Sequence, residues 1–256
     1  MTSDIIGAHH AFTTRHGGVS TGVFASLNLG ATRGDEIENV EKNYEILCSA
    51  LSFPRERLVF SHQIHECTVK VCTKSDINRM HTDVTYSADG LITNEENLAL
   101  VIFTADCIPI LLHDPVKKAV GAVHAGWRGT VGGIAAEGVK KMAETYGSDP
   151  KDIRAAIGAG ICWSCFETGA EVPEAVREVL GEDAERFITA KKDVPGKFTV
   201  DLKGVNSYLL QKAGVLPENI DISPECTMCS HEKYWSHRYT KGIRGVQASV
   251  IMLKGV

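Results

Sequence analysis

Residues 104–129 read TADCIPILLHDPVKKAVGAVHAGWRG. The runs IPILLHD and AVGAVHA are apolar and rich in strand formers, so each reads as a buried strand. Between them, Asp114-Pro115 is turn chemistry, followed by Lys117 and Lys118. A loop over 114–117 would set His113 opposite Lys118 and, further back, Cys107 opposite His124. Opposed residues of an antiparallel pair have Cβ atoms about 4.5–5.5 Å apart. A thiol and an imidazole at that separation can share a metal ion or a proton. The same pattern also fits a buried hairpin with an inert cysteine and a hydrogen-bonded histidine. Ala125-Gly126-Trp127-Arg128-Gly129 then adds a permissive backbone, an aromatic face and a guanidinium.

Outward from the hairpin, the chain alternates between strand and helix patterns. His10 to Arg15 is a short strand before a Gly17-Gly18 turn. Residues 36–51 form an amphipathic helix with acidic residues in its first turn. Strands are expected over 57–65 and 67–72, in Asp89-Gly90-Leu91-Ile92 and in the run LALVIFTADC. Residues 130–146 read as a helix, weakened at its start by Gly132 and Gly133. Then follow a strand over 153–161, a helix over 170–180, a strand over 198–201, a helix over 202–213 and a terminal buried strand, VQASVIML. There is no linker, repeat or low-complexity segment, so the expectation is one domain of mixed α and β.

Composition limits the function classes. A chain of 256 residues buries a full core. A net charge of −5 gives no electrostatic case for nucleic acid or an anionic membrane. No apolar run approaches the ~20 residues of a membrane span. The start, MTSDIIGAHHAF, has no basic n-region and no long h-region, so no signal peptide is expected. Eight cysteines without a secretion signal point to a reducing, cytoplasmic compartment.

Ser61-His62-Gln63-Ile64-His65 closes the 57–65 strand. Within a strand His62 and His65 face opposite ways, so only one can join Cys107 and His124. Two CxxC pairs also occur, Cys162-Trp163-Ser164-Cys165 and Cys226-Thr227-Met228-Cys229. Together they have the composition of a tetrathiolate zinc site. Their separation of roughly 60 residues exceeds ribbon spacing, and the first pair at a strand-to-helix turn has the setting of a redox pair. The spacing favours free or partly buried thiols and no second zinc site.

Several motifs, spread over nearly the whole chain, resemble the laccase-domain family, described as polyphenol oxidases or zinc-dependent purine nucleoside phosphorylases. They are Thr14-Arg15-His16-Gly17-Gly18-Val19-Ser20, Ser26-Leu27-Asn28-Leu29-Gly30, His62-Gln63-Ile64-His65, Thr104-Ala105-Asp106-Cys107-Ile108-Pro109 and His124-Ala125-Gly126-Trp127-Arg128-Gly129. Phe166-Glu167-Thr168-Gly169, Cys226-Thr227 and Ser236-His237-Arg238 follow. Three departures stand out. Glu66 replaces the usual Gly after HQxH, Tyr239 replaces a second Arg after Arg238, and TKGIRGVQ is one residue longer than the common pattern.

The resemblance implies an α+β fold over 1–256, with mixed sheets flanked by helices in α/β/β/α layers. It implies zinc held by His65, Cys107 and His124, with copper as a possible substitute. Two His and one Cys leave a fourth position open, as in catalytic sites. The implied reaction is phosphorolysis of adenosine, inosine and 5′-methylthioadenosine, with adenosine deamination beside it. Arg15, Arg128 and Arg238 are the candidate guanidiniums for phosphate, and Asn28 and Gln63 are further substrate-side candidates. Asp106 is the carboxylate nearest the ligands in sequence, a candidate proton shuttle or a structural acceptor of backbone amides. The partners implied are small nucleosides and phosphate, with no nucleic acid, membrane or obligate protein partner.

Two rival chemistries have sequence discriminators. A multicopper phenol oxidase needs HxH pairs for its copper cluster, and the ten histidines include none. A metal-free cysteine hydrolase would use Cys107 as nucleophile and His124 as base; metal analysis separates it from the zinc reading. A non-catalytic binding module would show no phosphate-dependent turnover.

Overall fold

The hairpin forms, with its turn one position later than expected. The computed structural model describes residues 1–255. In chain order the first elements are β1 (His9–Phe12), α1 (Ile37–Leu51), β2 (Leu58–Val59), β3 (Val69–Val71), β4 (Gly90–Thr93) and β5 (Ala99–Thr104). The hairpin is β6 (Ile108–Asp114) and β7 (Ala119–Ala125), followed by α2 (Trp127–Val131), α3 (Ile134–Tyr146) and β8 (Arg154–Ile157). Then come β9 (Glu167–Thr168), α4 (Glu171–Leu180), β10 (Ile188–Ala190), β11 (Phe198–Val200) and α5 (Leu202–Lys212). The chain closes with β12 (Ile220–Ile222), α6 (His237–Thr240) and β13 (Gln247–Met252).

The observed register pairs His113 with Val120 and Pro109 with His124. This corrects the expected Cys107–His124 pairing by two positions. Asp114 stays in the ladder opposite Ala119, and its carboxylate accepts the N–H groups of Val116 and Lys117 at 2.8 and 2.9 Å. Those bonds fold the turn over 115–118, with Lys118 left-handed at φ 51°. A slip of two residues preserves parity, so Cys107 and His124 still project from one face.

Among the described residues there are three sheets. Six strands run in the order β12-β8-β6-β7-β4-β3, four in the order β1-β13-β5-β2, and three in the order β10-β11-β9. Both large sheets mix parallel and antiparallel pairs. Strand β6 shows why its sequence is a continuous apolar run: it is buried on both faces. Ile110 and Leu112 join a core with Ile134, Val139, Met142 and Val205 of α3 and α5. Leu111 points the other way, into a core with Leu100, Ile102 and Ile251 of the four-stranded sheet. The far side of that sheet packs Val101 and Val250 against Val40, Tyr44 and Leu47 of α1. The layers are therefore α/β/β/α, in one mixed α/β domain.

Two differences from expectation bear on the site. The helix over 130–146 is split: α2 begins at Trp127, and the chain breaks at Gly132 before α3. Gly133 sits at φ 77°, a conformation that costs an L side chain energy and lets the chain turn between the two helices. The strand over 57–65 shrinks to Leu58–Val59 plus an isolated pairing of His62 with Ser87. His65 therefore lies in a turn at φ 64°, not on a strand face.

Candidate metal centre

The turn at His65 is held by one buried carboxylate. Asp89, just before β4, accepts the backbone N–H groups of Ile64, His65 and Glu66 at 3.1, 3.0 and 2.9 Å. Its Oδ1 also lies 2.7 Å from His124 Nδ1, and its carbonyl accepts the His124 N–H at 2.7 Å. Asp89 thus clasps the 64–66 turn onto β7. Burial alone would raise its pKa; the His124 hydrogen bond and the backbone donors outweigh burial and hold it below the usual carboxylate range. Sequence reasoning missed Asp89. Its one signal was an acid at the mouth of an apolar strand.

Since the carboxylate accepts, His124 Nδ1 carries the proton, and Nε2 is free to coordinate. Cys107 precedes β6, and its Sγ lies 3.8 Å from His65 Nε2. The two imidazoles stand nearly perpendicular, centroids 4.8 Å apart. One ligand atom from each of His65, Cys107 and His124 lies within 4.8 Å of the others. A Cβ on Gly126 would come 2.7 Å from His65 Cδ2 and 3.3 Å from Cys107 Sγ, so only glycine lets β7 run on beside the cluster. Desolvation would raise the Cys107 thiol, but the adjoining imidazoles bring it down. Desolvation would lower His124, but Cys107 and Asp89 bring it up. This donor set, two imidazoles and an acidified thiol with one outer-shell carboxylate, fits a metal ion held by three protein ligands.

The cluster is graded from the buried His124 to the exposed His65. It forms the wall of a cavity of about 330 Å³ at one end of the seam between the two large sheets. Phe103 and Thr104 of β5, His62, His81, Arg33 and Arg244 complete much of the lining. Arg244 is buried, and its Nε has no partner among the described residues. Burial and then the charge of Arg33 lower its guanidinium to about 10. Two guanidiniums lining one cavity favour an anion in it. His81 is half-buried, and its Nδ1 lacks a partner among the described residues.

The other expected site residues are placed differently. Arg15 donates to the carbonyls of Ala25 and His231 and stacks on Trp235 at 4.0 Å. Arg128 is exposed and stacks on Trp127 at 4.3 Å. Arg238 donates to the Glu167 carbonyl at 2.8 Å and lies over Phe166. None of the three lines the cavity. Asn28 is fully buried; its amide oxygen accepts from Gly30 and Val246, and its nitrogen donates to Asp35. Gln63 reaches the cavity wall, but both ends of its amide are paired with the Phe103 backbone at 2.7 Å. Asp106, at φ 86°, accepts from the Thr227 hydroxyl and the Arg238 N–H at 2.6 Å each. Each of its oxygens accepts one bond, so it ties the 227–238 segment to the residue before Cys107. Arg33 and Arg244 escaped the sequence reading. Arg244 lies within TKGIRGVQ, the segment one residue longer than the common pattern.

The thiols of the two CxxC pairs are brought together. The sequence favoured free or partly buried thiols; the four are free, and their sulfurs lie within 4.8 Å of one another.

Fold and cluster together define a mixed α/β protein with an open His/Cys/His ligand set in a cavity wall. A family described as multi-copper polyphenol oxidoreductase laccase matches residues 9–254, and the chain belongs to that family. Purine nucleoside phosphorylase YlmD of Bacillus subtilis is 37% identical over 247 residues, covering 95% of this chain and 87% of that protein. A purine nucleoside phosphorylase of Bacteroides thetaiotaomicron is 35% identical over 232 residues, covering 90% and 85%. The crystal structure of YlmD from Geobacillus stearothermophilus matches with a TM-score of 0.92 at 35% identity, over 99% of this chain and 94% of that one. Among the described residues, no helix is long and apolar enough to cross a membrane.

Proposed function

We propose that this chain is a zinc-dependent purine nucleoside phosphorylase. The observation that carries the reading is the open His65–Cys107–His124 cluster sharing one cavity with Arg33 and Arg244. The names of the relatives point the same way. In phosphorolysis a phosphate oxygen attacks C1′ of the nucleoside, the bond from C1′ to the purine nitrogen breaks, and the base leaves with a proton. Arg33 and Arg244 are assigned to hold the phosphate dianion, since each guanidinium offers paired donors. Phe103, stacked on Phe60 and tilted against His81, offers an apolar face to the purine. The hydrogen bond from His124 Nδ1–H to Asp89 keeps the ligand nitrogen Nε2 turned into the cavity. When bound, zinc supplies Lewis-acid polarisation of a phosphate or nucleoside oxygen.

Adenosine, inosine and 5′-methylthioadenosine are the proposed substrates. Adenosine deamination is proposed as a parallel activity, in which water adds at C6 and ammonia leaves. The partners required are small molecules only. The eight thiols suit a cytoplasmic setting.

The test is turnover of adenosine with and without phosphate, read by chromatography of adenine, inosine and ribose 1-phosphate. Adenine release should require phosphate, and inosine formation should not. Adenine release at an unchanged rate without phosphate would overturn the phosphorylase reading and favour hydrolysis by Cys107 and His124.

A further inference from the structure

We infer that Cys162, Cys165, Cys226 and Cys229 form a second metal site, a closed tetrathiolate that takes zinc. This inference does not rest on the phosphorylase reading. Topology explains how pairs so distant in sequence meet. Strands β8 and β12 are parallel neighbours, pairing Ile157 with Ile222. Each chain leaves its strand at the same edge and delivers its CxxC a few residues later. An isolated parallel pairing of Gly160 with Cys226 extends that alignment to the site itself.

The geometry is that of a ligand set. All four sulfurs lie within 4.8 Å of one another, and none is in a disulfide. A tetrahedral zinc with Zn–S bonds of about 2.3 Å needs sulfurs about 3.8 Å apart, so small adjustments suffice. The Cys165 and Cys229 sulfurs already lie 3.3 Å apart. Cys226 Sγ faces two backbone N–H donors, from Cys162 at 3.2 Å and Cys229 at 3.4 Å. Such donors stabilise a thiolate and orient it toward a metal. Lys203 supplies compensating charge. It is 7% exposed, and its ammonium donates at 2.7 Å to the carbonyls of Ser223 and Glu225, immediately before Cys226. It has no carboxylate partner within salt-bridge distance among the described residues. Four thiolates around Zn²⁺ carry a net charge of −2, for which a buried ammonium is a suitable neighbour.

On binding, four S–H protons pass to solvent, four S–Zn bonds form and no electron is transferred. Four sulfur ligands leave no open position, so the site is structural. It pins the 226–238 segment against the loop after β8. That segment supplies Thr227 and the Arg238 N–H that hold Asp106, the neighbour of Cys107.

The test is the zinc content of purified wild-type protein, with thiol titration and cobalt substitution. Wild type should hold two zinc per chain, Cys107→Ala one, and Cys226→Ser at most one. Cobalt-loaded Cys107→Ala should show the strong sulfur-to-cobalt charge transfer of a tetrathiolate, and Cys226→Ser should lose it. In native wild type, the exposed Cys229 should resist a thiol reagent until a chelator is added; this arm needs no variant to fold. Immediate reaction of Cys229, a Cys165–Cys229 disulfide in the purified protein's mass, or no metal left in folded Cys107→Ala would each overturn the site. If the phosphorylase reading failed because the open site held no metal, wild type would hold one zinc, and the Cys107→Ala, cobalt and Cys229 outcomes would be unchanged.

Discussion

Two sulfur clusters stand in this molecule, and they differ in what surrounds the sulfur. At His65–Cys107–His124, one thiol and two imidazoles come from three separate segments, and all three line a cavity. At Cys162–Cys165–Cys226–Cys229, four thiols come from two short loops and turn inward on one another. The first set is incomplete by one ligand and braced by a buried carboxylate. The second is complete and braced by backbone amides and a lysine. The number of donors a fold brings together thus separates a site with room for a reactant from a site that can only hold the chain.

The sharpest way to break that contrast is Cys107→Ala. Losing one of three ligands should abolish metal at the open site and lower phosphorolysis by about 10³-fold, as expected when a Lewis acid worth several kcal/mol is lost. Retained turnover in metal-analysed protein would show that the open cluster is not the reactive one. Asp89→Asn tests the bracing. Replacing the carboxylate that orients His124 and closes the 64–66 turn should weaken metal affinity by about 10–100-fold, measured by chelator competition. An unchanged affinity would make Asp89 a turn-former only.

Arg244→Ala sharpens the assignment of the cavity. Loss of charge-assisted hydrogen bonds should raise the KM for phosphate by about 10-fold or more and leave adenosine deamination within a few-fold. Equal loss of both activities would place Arg244 on the nucleoside instead. The smallest effect belongs to Arg128→Ala. Its side chain is exposed, stacks on Trp127 and lies outside the cavity, so phosphorolysis kinetics should stay within about 2-fold and the Tm within a degree or two. A large rise in the phosphate KM would return Arg128 to the site.

Much of the fold was legible because local patterns and tertiary packing agree. The helix over 36–51 appears as Ile37–Leu51, with Val40, Tyr44 and Leu47 on one buried stripe. The run IPILLHD is buried on both faces, as a continuous apolar strand should be. Misplacements arose where a single side chain or glycine redirects the backbone. The Asp114 carboxylate captured two amides and moved the hairpin turn. The conformation of Gly133 broke a helix that periodicity had joined. Of the candidate metal ligands, Cys107 and His124 could be placed on one face from the hairpin alone. His65 could not, because Asp89 bends it out of the strand in which it was placed.

By itself, the sequence determined the apolar runs that become strands, the amphipathic helices, the family motifs and the residue types able to bind metal. Each is a property of neighbours along the chain, where periodicity and turn chemistry act. Only the tertiary structure decided the hairpin register, the Asp89 clasp, the lining of the cavity by Arg33 and Arg244 and not by Arg15, Arg128 or Arg238, and the meeting of the two CxxC pairs. Each of these depends on segments distant in sequence being brought together by sheet pairing. Chain spacing carries no such information: the two cysteine pairs are held together by the alignment of β8 with β12, whatever the length of chain between them.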